Sequence, residues 1–213
     1  MKKTIFILVS IFLFFLNVKA QDLVNPNTIS IGPRVGINMS GLSMEDQNTS
    51  SRIAPTFGVM MVYSWNRSFG IAADLMYVPM GAKIEIPSNG SSRELNISLN
   101  YLHLPIQGLY FYDLTESFRP KIGLGPYVSF LVNSSEKIDG MEVNTGRAYA
   151  PLDFGVNATI GFNYLITPRI WLNTDLRYAL GLINIEAANG PNTTNTSLGL
   201  TIGVGFSLGT IVN

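Results

Sequence analysis

The sequence predicts an all-β fold, an eight-stranded antiparallel up-and-down transmembrane β-barrel with short periplasmic turns and long external loops. Three observations point there. Apolar residues alternate with small or polar ones in eight separate segments, a period of two that marks strands with two unlike faces. The connections between segments alternate short and long, the rhythm of a barrel inserted from one side of a membrane. Finally, 46% of the chain is apolar and only 13% charged, yet beyond the N-terminus no apolar run is long enough for a transmembrane helix. The apolar surface must then be carried by strands.

The N-terminus reads separately. Lys2 and Lys3 precede an apolar run over 5–16 and then Val18-Lys19-Ala20, the order of a secretory signal peptide, with an apolar core short for an anchor. Residues 1–20 are expected to be that peptide and 21–213 a single barrel domain. With no cysteine in the chain, neither lipid attachment nor a disulfide is available. The formal net charge is zero, so no basic stripe points to nucleic acid.

The segments follow in order. Over 29–38, Ile29, Ile31, Val35 and Ile37 oppose Ser30, Gly32, Arg34, Gly36 and Asn38. Over 56–64, Phe57, Val59, Met61 and Tyr63 share a face, and over 69–78 Phe69, Ile71, Ala73, Leu75 and Tyr77 oppose Gly70, Ala72, Asp74 and Met76. Over 101–112, Leu102, Leu104, Ile106 and Tyr110 oppose His103, Gln107 and Leu109. Over 119–132, Ile122, Leu124, Val128 and Phe130 oppose Lys121, Gly123, Gly125, Tyr127 and Ser129. Segment 153–164 alternates without exception, with Asp153, Gly155, Asn157, Thr159, Gly161 and Asn163 on its small and polar face. Over 170–181, Leu172, Leu176, Tyr178 and Leu180 oppose Trp171, Asn173, Asp175, Arg177 and Gly181, and the last segment, 196–209, places Gly199, Gly203, Gly205 and Gly209 on one face. Connections 65–68, 113–117 and 166–169 are short and rich in turn formers. Connections 39–55, 79–100, 133–151 and 185–195 are longer and polar.

Alternation alone does not separate a membrane barrel from a soluble one, because turning the wall inside out preserves the pattern. Residue size and charge decide. A soluble barrel solvates its outer face with charged residues, whereas here the non-apolar face is mostly Gly, Ser, Thr and Asn, suited to a narrow lumen. The charges on it are Arg34, Asp74, Lys121, Asp153, Asp175 and Arg177, joined by His103 and Gln107, and enclosed charges of mixed sign offset one another's desolvation by pairing. Aromatics support the same facing. Tyr63, Trp65, Phe69, Tyr110, Tyr112, Phe118, Phe162, Tyr164, Trp171 and Phe206 lie toward the short turns or the C-terminal end. Tyr77, Tyr101, Phe130 and Tyr178 lie toward the long loops, as two interfacial belts would.

The stretches PRVGINMSGL, LNYLHLPIQGLYFY, RPKIGLGPYVSFL, DFGVNATIGFNY and LRYALGLINI together resemble the PorT-like outer-membrane β-barrel family. The resemblance covers nearly the whole of 21–213. It implies a porin-like barrel in a Gram-negative outer membrane, outer-membrane lipid and the barrel-assembly machinery as partners, and no assigned catalytic residue. One departure is that the chain continues past Phe206 to Gly209-Thr210-Ile211-Val212-Asn213 rather than ending on the aromatic that the assembly machinery reads in such barrels.

The search for chemistry returns little. The chain has one histidine, His103, and no cysteine, a poor basis for zinc or a nucleophile–histidine–acid set, so no catalytic residue, cofactor or metal is expected. Arg34, Asp74, His103, Gln107, Lys121, Asp175 and Arg177 form the candidate lumen network, either as the lining of an ion path or as a packed polar plug. The plug is favoured because eight strands enclose room for little besides side chains. The function expected first is a non-enzymatic barrel anchored by its own fold, with external loops for contact. Next come a narrow channel or an accessory subunit working with other envelope proteins in transport or secretion, and then a lipid-modifying enzyme, which a lone lumen-facing histidine disfavours.

Overall fold

A computed structural model describes residues 27–44, 49–88, 91–112, 115, 117–143, 148–187 and 193–208; the expected signal peptide and the chain past Leu208 lie outside them. Eight strands make the wall: β1 (Thr28–Met44), β2 (Thr49–Ser64), β3 (Phe69–Ser88), β4 (Ser91–Phe111), β5 (Phe118–Ile138), β6 (Leu152–Thr167), β7 (Ile170–Gly181) and β8 (Thr193–Ser207). Each pairs antiparallel with its sequence neighbour, and β8 returns to β1, with Arg34 opposite Gly203 and Ile37 opposite Leu200. Closure leaves the wall without an unpaired edge, the condition for strands to cross hydrocarbon. At one end the turns are tight. Between β2 and β3, Asn66 Oδ1 accepts the backbone N–H of Ser68 at 2.8 Å and of Phe69 at 2.7 Å, an Asx turn that stands in for backbone pairing.

The facing follows the expected alternation through the membrane-crossing part. Along β8, Leu198, Leu200, Ile202 and Phe206 are exposed, while Ser197, Gly199, Thr201, Gly203 and Gly205 are buried. The inner residues are small because the interior is full. A Cβ on Gly203 would lie 2.8 Å from Met60 Sδ and one on Gly205 3.1 Å from Met60 Cε. Tyr127 faces Gly155 across the β5–β6 pair, and a Cβ at Gly155 would meet its ring at 2.6 Å.

Beyond the membrane-crossing part the structure departs from the expected boundaries. Connections 39–55 and 79–100 are mostly strand, since β1 runs to Met44, β2 starts at Thr49, β3 runs to Ser88 and β4 starts at Ser91. A membrane-crossing strand needs about 9–11 residues, whereas β3 has 20 and β4 and β5 have 21 each, so the surplus projects beyond one end. There the facing inverts. β3 carries Phe69, Ile71 and Leu75 outward and Asp74 inward, but further on it turns Met80, Ala82 and Ile84 inward and Glu85 outward. β4 mirrors it, with Leu95, Ile97 and Leu99 inside and Glu94 outside before Leu102 and Ile106 face out. The outer solvent changes from hydrocarbon to water along the same strands, so the apolar face changes side.

The inverted segments enclose an apolar cluster at the far end of the barrel: Met80, Ala82, Ile84, Leu95, Ile97 and Leu99 with Leu42, Met76, Val78, Tyr101 and Ile185. Ile185 comes from the connection after β7. It is held by backbone bonds to Ala150 at 2.7 Å and Thr193 at 2.9 Å, beside a two-residue ladder of Ala148–Tyr149 with Glu186–Ala187. The chain thus folds its own side chain into the mouth. Two residues expected in the aromatic belts are corrected by the same geometry: Tyr101 is 0% and Trp171 8% exposed, because both share strand parity with inward residues, His103 for the first and Asn173 for the second. Trp65, Phe69, Tyr110, Tyr112 and Phe206 at the short-turn end, and Phe130 and Tyr178 toward the other, do face outward.

Candidate functional site

The interior charges form a connected chain across the lumen. Arg34 on β1, Asp74 on β3, Lys121 on β5 and Asp175 and Arg177 on β7 all point inward, because each lies on the small and polar face of its strand. Asp175 accepts from Arg34 Nη1 at 2.6 Å through Oδ2, and its Oδ1 forms an ion pair with Lys121 Nζ at 2.8 Å. Asp74 Oδ2 takes Arg177 Nη1 at 2.7 Å and lies 3.5 Å from Arg34 Nη1. The order is therefore Lys121, Asp175, Arg34, Asp74, Arg177, with opposite charges alternating. Lys121 also donates to Asn163 Oδ1 at 2.8 Å and Asn173 Oδ1 at 3.1 Å, and Arg34 Nη2 reaches Met60 Sδ at 3.1 Å. All five are nearly excluded from solvent. Buried pairs of this kind hold only while both signs are present, because losing one member strands an uncompensated charge. Lys121 has room to reach β7 because Gly161 stands opposite it, and a Cβ there would run into Asp175 Oδ1 and the Thr174 carbonyl.

The other two candidate residues lie outside the ion-pair chain. His103 Nδ1 is 2.8 Å from Ser129 Oγ, and its ring lies 4.6 Å from that of Tyr127. Gln107 donates to the carbonyl and to the Oδ1 of Asn157, both at 3.0 Å, and accepts from Thr159 Oγ1 at 3.0 Å. Five of the seven candidates are thus joined by charge, while His103 and Gln107 are tied to neutral neighbours.

Layers lie on either side that sequence reasoning did not assemble. Toward the short turns the Arg119 guanidinium sits 4.1 Å over the Phe111 ring and 5.9 Å from that of Trp171, and Nη2 donates to the Arg67 carbonyl at 2.6 Å. Arg119 shares strand parity with Lys121, which was the signal available for it. Toward the far end, Asp153 Oδ2 accepts from Tyr127 Oη at 3.1 Å and Asn195 Nδ2 at 2.9 Å. Asn195 lay at the edge of an expected loop, where nothing in its neighbours marks it as inward. The interior therefore passes from an aromatic-stacked arginine, through paired charges, to a hydrogen-bonded carboxylate and then the apolar cluster. Such an arrangement fills the interior with side chains that bond across strands.

Comparison with known proteins agrees with this architecture. A family model described as an outer membrane protein beta-barrel domain matches residues 19–186. Outer membrane protein W of Vibrio cholerae is 30% identical over 145 residues, which are 65% of this chain and 61% of that protein, so the chain spans less than two thirds of the length of this curated relative. Among solved structures, the outer membrane protein OprG from Pseudomonas aeruginosa superposes with a TM-score of 0.58 at 14% identity, covering 87% of this chain and 97% of that one. The likeness to OprG is one of fold.

Proposed function

The chain belongs to the outer membrane protein beta-barrel domain family and resides in the Gram-negative outer membrane, and from that premise we propose that it is a non-enzymatic barrel whose lumen is closed by its own side chains and whose far end offers contact surface. The observation that carries this reading is the ion-pair chain Lys121, Asp175, Arg34, Asp74, Arg177, which ties β1, β3, β5 and β7 together across the interior beneath the apolar cluster. Eight-stranded barrels have an interior just wide enough for side chains to fill, and here every inward charge of that chain has a partner of opposite sign. The lone histidine is engaged with Ser129 and Tyr127 inside the wall, away from the lipid boundary where a lipid-modifying site would have to work.

In this reading the tight turns face the periplasm and the projecting ends of β3, β4 and β5 face outward. Outer-membrane lipid and the assembly machinery are the general partners. Planar-bilayer recording on the refolded protein tests closure. A silent barrel is expected, and steady unitary conductance would overturn the plug.

The accessory-subunit reading, in line with the finer PorT-like grouping, is favoured by one feature. The projecting β3–β4 hairpin bears an exposed charged face, with Lys83 and Glu94 paired at 2.9 Å and Arg93 at 3.7 Å from Asp139, a surface suited to another envelope protein. Its test is co-purification from native membranes after cross-linking at Glu94. Recovery of the barrel alone would remove it.

A further inference from the structure

Gly108 lies on the unexpected side of β4. The glycines of the membrane-crossing wall sit mostly on its inner face, where a crowded interior needs the room. Gly108 instead shares strand parity with Leu102, Ile106 and Tyr110, which face outward, and is itself exposed. Its own chain does not use the space, since a Cβ there would have the Leu124 carbonyl oxygen, at 3.9 Å, as its nearest neighbour beyond the adjoining residues. A glycine inside a strand weakens it and often marks a place where a ligand approaches the backbone closely.

In register, Gly108 stands between Ile71 of β3 and Leu124 of β5, and nearer the tight turns Tyr110 stands between Phe69 and Ile122. All five side chains are exposed on the lipid face, with the Phe69 and Tyr110 rings edge to face at 5.4 Å between centroids. Around the missing side chain they line a groove of about 670 Å³, the size of a small-molecule site. At its turn end the lining changes to Trp65 and Asn66. Asn66 spends Oδ1 on the backbone N–H groups of Ser68 and Phe69, while its amide N–H groups and the Trp65 indole N–H donate to nothing among the described residues. The groove is thus apolar along the wall and offers hydrogen-bond donors where the wall leaves hydrocarbon, the level at which tryptophan settles. An amphiphile with a hydrocarbon chain and acceptor oxygens at its head matches both parts. Elsewhere on the wall an alkyl chain rides over protruding side chains; here it is touched on three sides, and dispersion contacts accumulate with the number of touching atoms.

We propose that this groove binds one glycerophospholipid of the periplasmic leaflet, with an acyl chain over Gly108 and ester or phosphate oxygens accepting from Trp65 and Asn66. The choice of leaflet rests on the tight turns facing the periplasm, as proposed above.

The probe is a vesicle of phosphatidylethanolamine and phosphatidylglycerol. Wild-type barrel refolded into such vesicles and released into detergent is expected to keep one phospholipid in native mass spectrometry. Gly108→Leu fills the groove and should lose that lipid while keeping the heat-dependent gel migration of a closed barrel. Asn66→Asp preserves the acceptor of the turn, replaces the amide N–H groups with a carboxylate and should lose it too. A phospholipid carrying a diazirine in its acyl chain tests the wild type alone, and should label peptides holding Gly108 and Leu124 above all others. No lipid on the wild type, equal retention in both variants, labelling spread evenly around the wall, or a mass of two chains in place of chain plus lipid overturns the groove. The leaflet is read separately. The chain has no cysteine, so Ser68→Cys at the turn reports its side of the membrane, and no reaction with an impermeant maleimide is expected in intact cells. Labelling there overturns the periplasmic orientation and the choice of lipid with it, whereas lost retention with Ser68→Cys protected overturns the groove alone.

Discussion

Asp175 holds two cations at once, Arg34 through one oxygen and Lys121 through the other. Asp175→Leu therefore leaves two buried positive charges without their acid, and the expected cost is about 3–5 kcal/mol, read as a lowered urea midpoint for the barrel refolded in detergent. Glu94→Gln removes an exposed partner of Lys83 and should cost at most about 1 kcal/mol. If the two variants lose equal stability, the interior chain is not a structural unit. The lipid face has its own test. Leu200 is exposed on β8 between Leu198 and Ile202, and Leu200→Arg places a charge near mid-bilayer at a cost of about 2–4 kcal/mol, seen as reduced recovery of folded protein from membranes. Strand parity made Asp175 and Arg177 recognisable as inward neighbours. That their direct ion pairs go elsewhere, one to Arg34 and Lys121 and the other to Asp74, was not legible, because each partner comes from another strand.

At the scale of the element, the informative departure is the β3–β4 hairpin. Its outer half alternates as regularly as its inner half, but with the apolar set on the opposite face, and its short inward run Met80, Ala82, Ile84 is interleaved with Gly81, Lys83 and Glu85. A search for one fixed apolar face reads the inverted part as polar loop. The physical boundary lies between Leu99, which faces in, and Leu102, which faces out. Ile97→Lys puts a charge into the apolar cluster, where the native side chain is 0% exposed. It should open the projecting hairpin to trypsin while the membrane-crossing part stays protected, and Ser98→Lys on the outer face should leave the digestion pattern unchanged. Loss of the whole barrel in Ile97→Lys would mean that the projection and the membrane-crossing wall fold as one cooperative unit.

For the whole molecule, closure through β1 and β8 predicts that unboiled and boiled samples migrate differently on a denaturing gel, because a wall with no free edge resists detergent until it is heated. Identical migration would contradict a closed barrel. The strand number, the antiparallel order and the lipid-facing set were determined by the sequence alone, since alternation is a property of each strand by itself and hydrocarbon outside selects which set is apolar. The tertiary structure decided what a single strand does not contain: which inward charges meet, how far the strands continue past the bilayer, that Tyr101 and Trp171 turn inside, and that a groove lies over Gly108. Those depend on the stagger with which eight strands close, which brings residues as distant as Arg34 and Asp175 within 2.6 Å, and that stagger is set by the packing of all the inner side chains together.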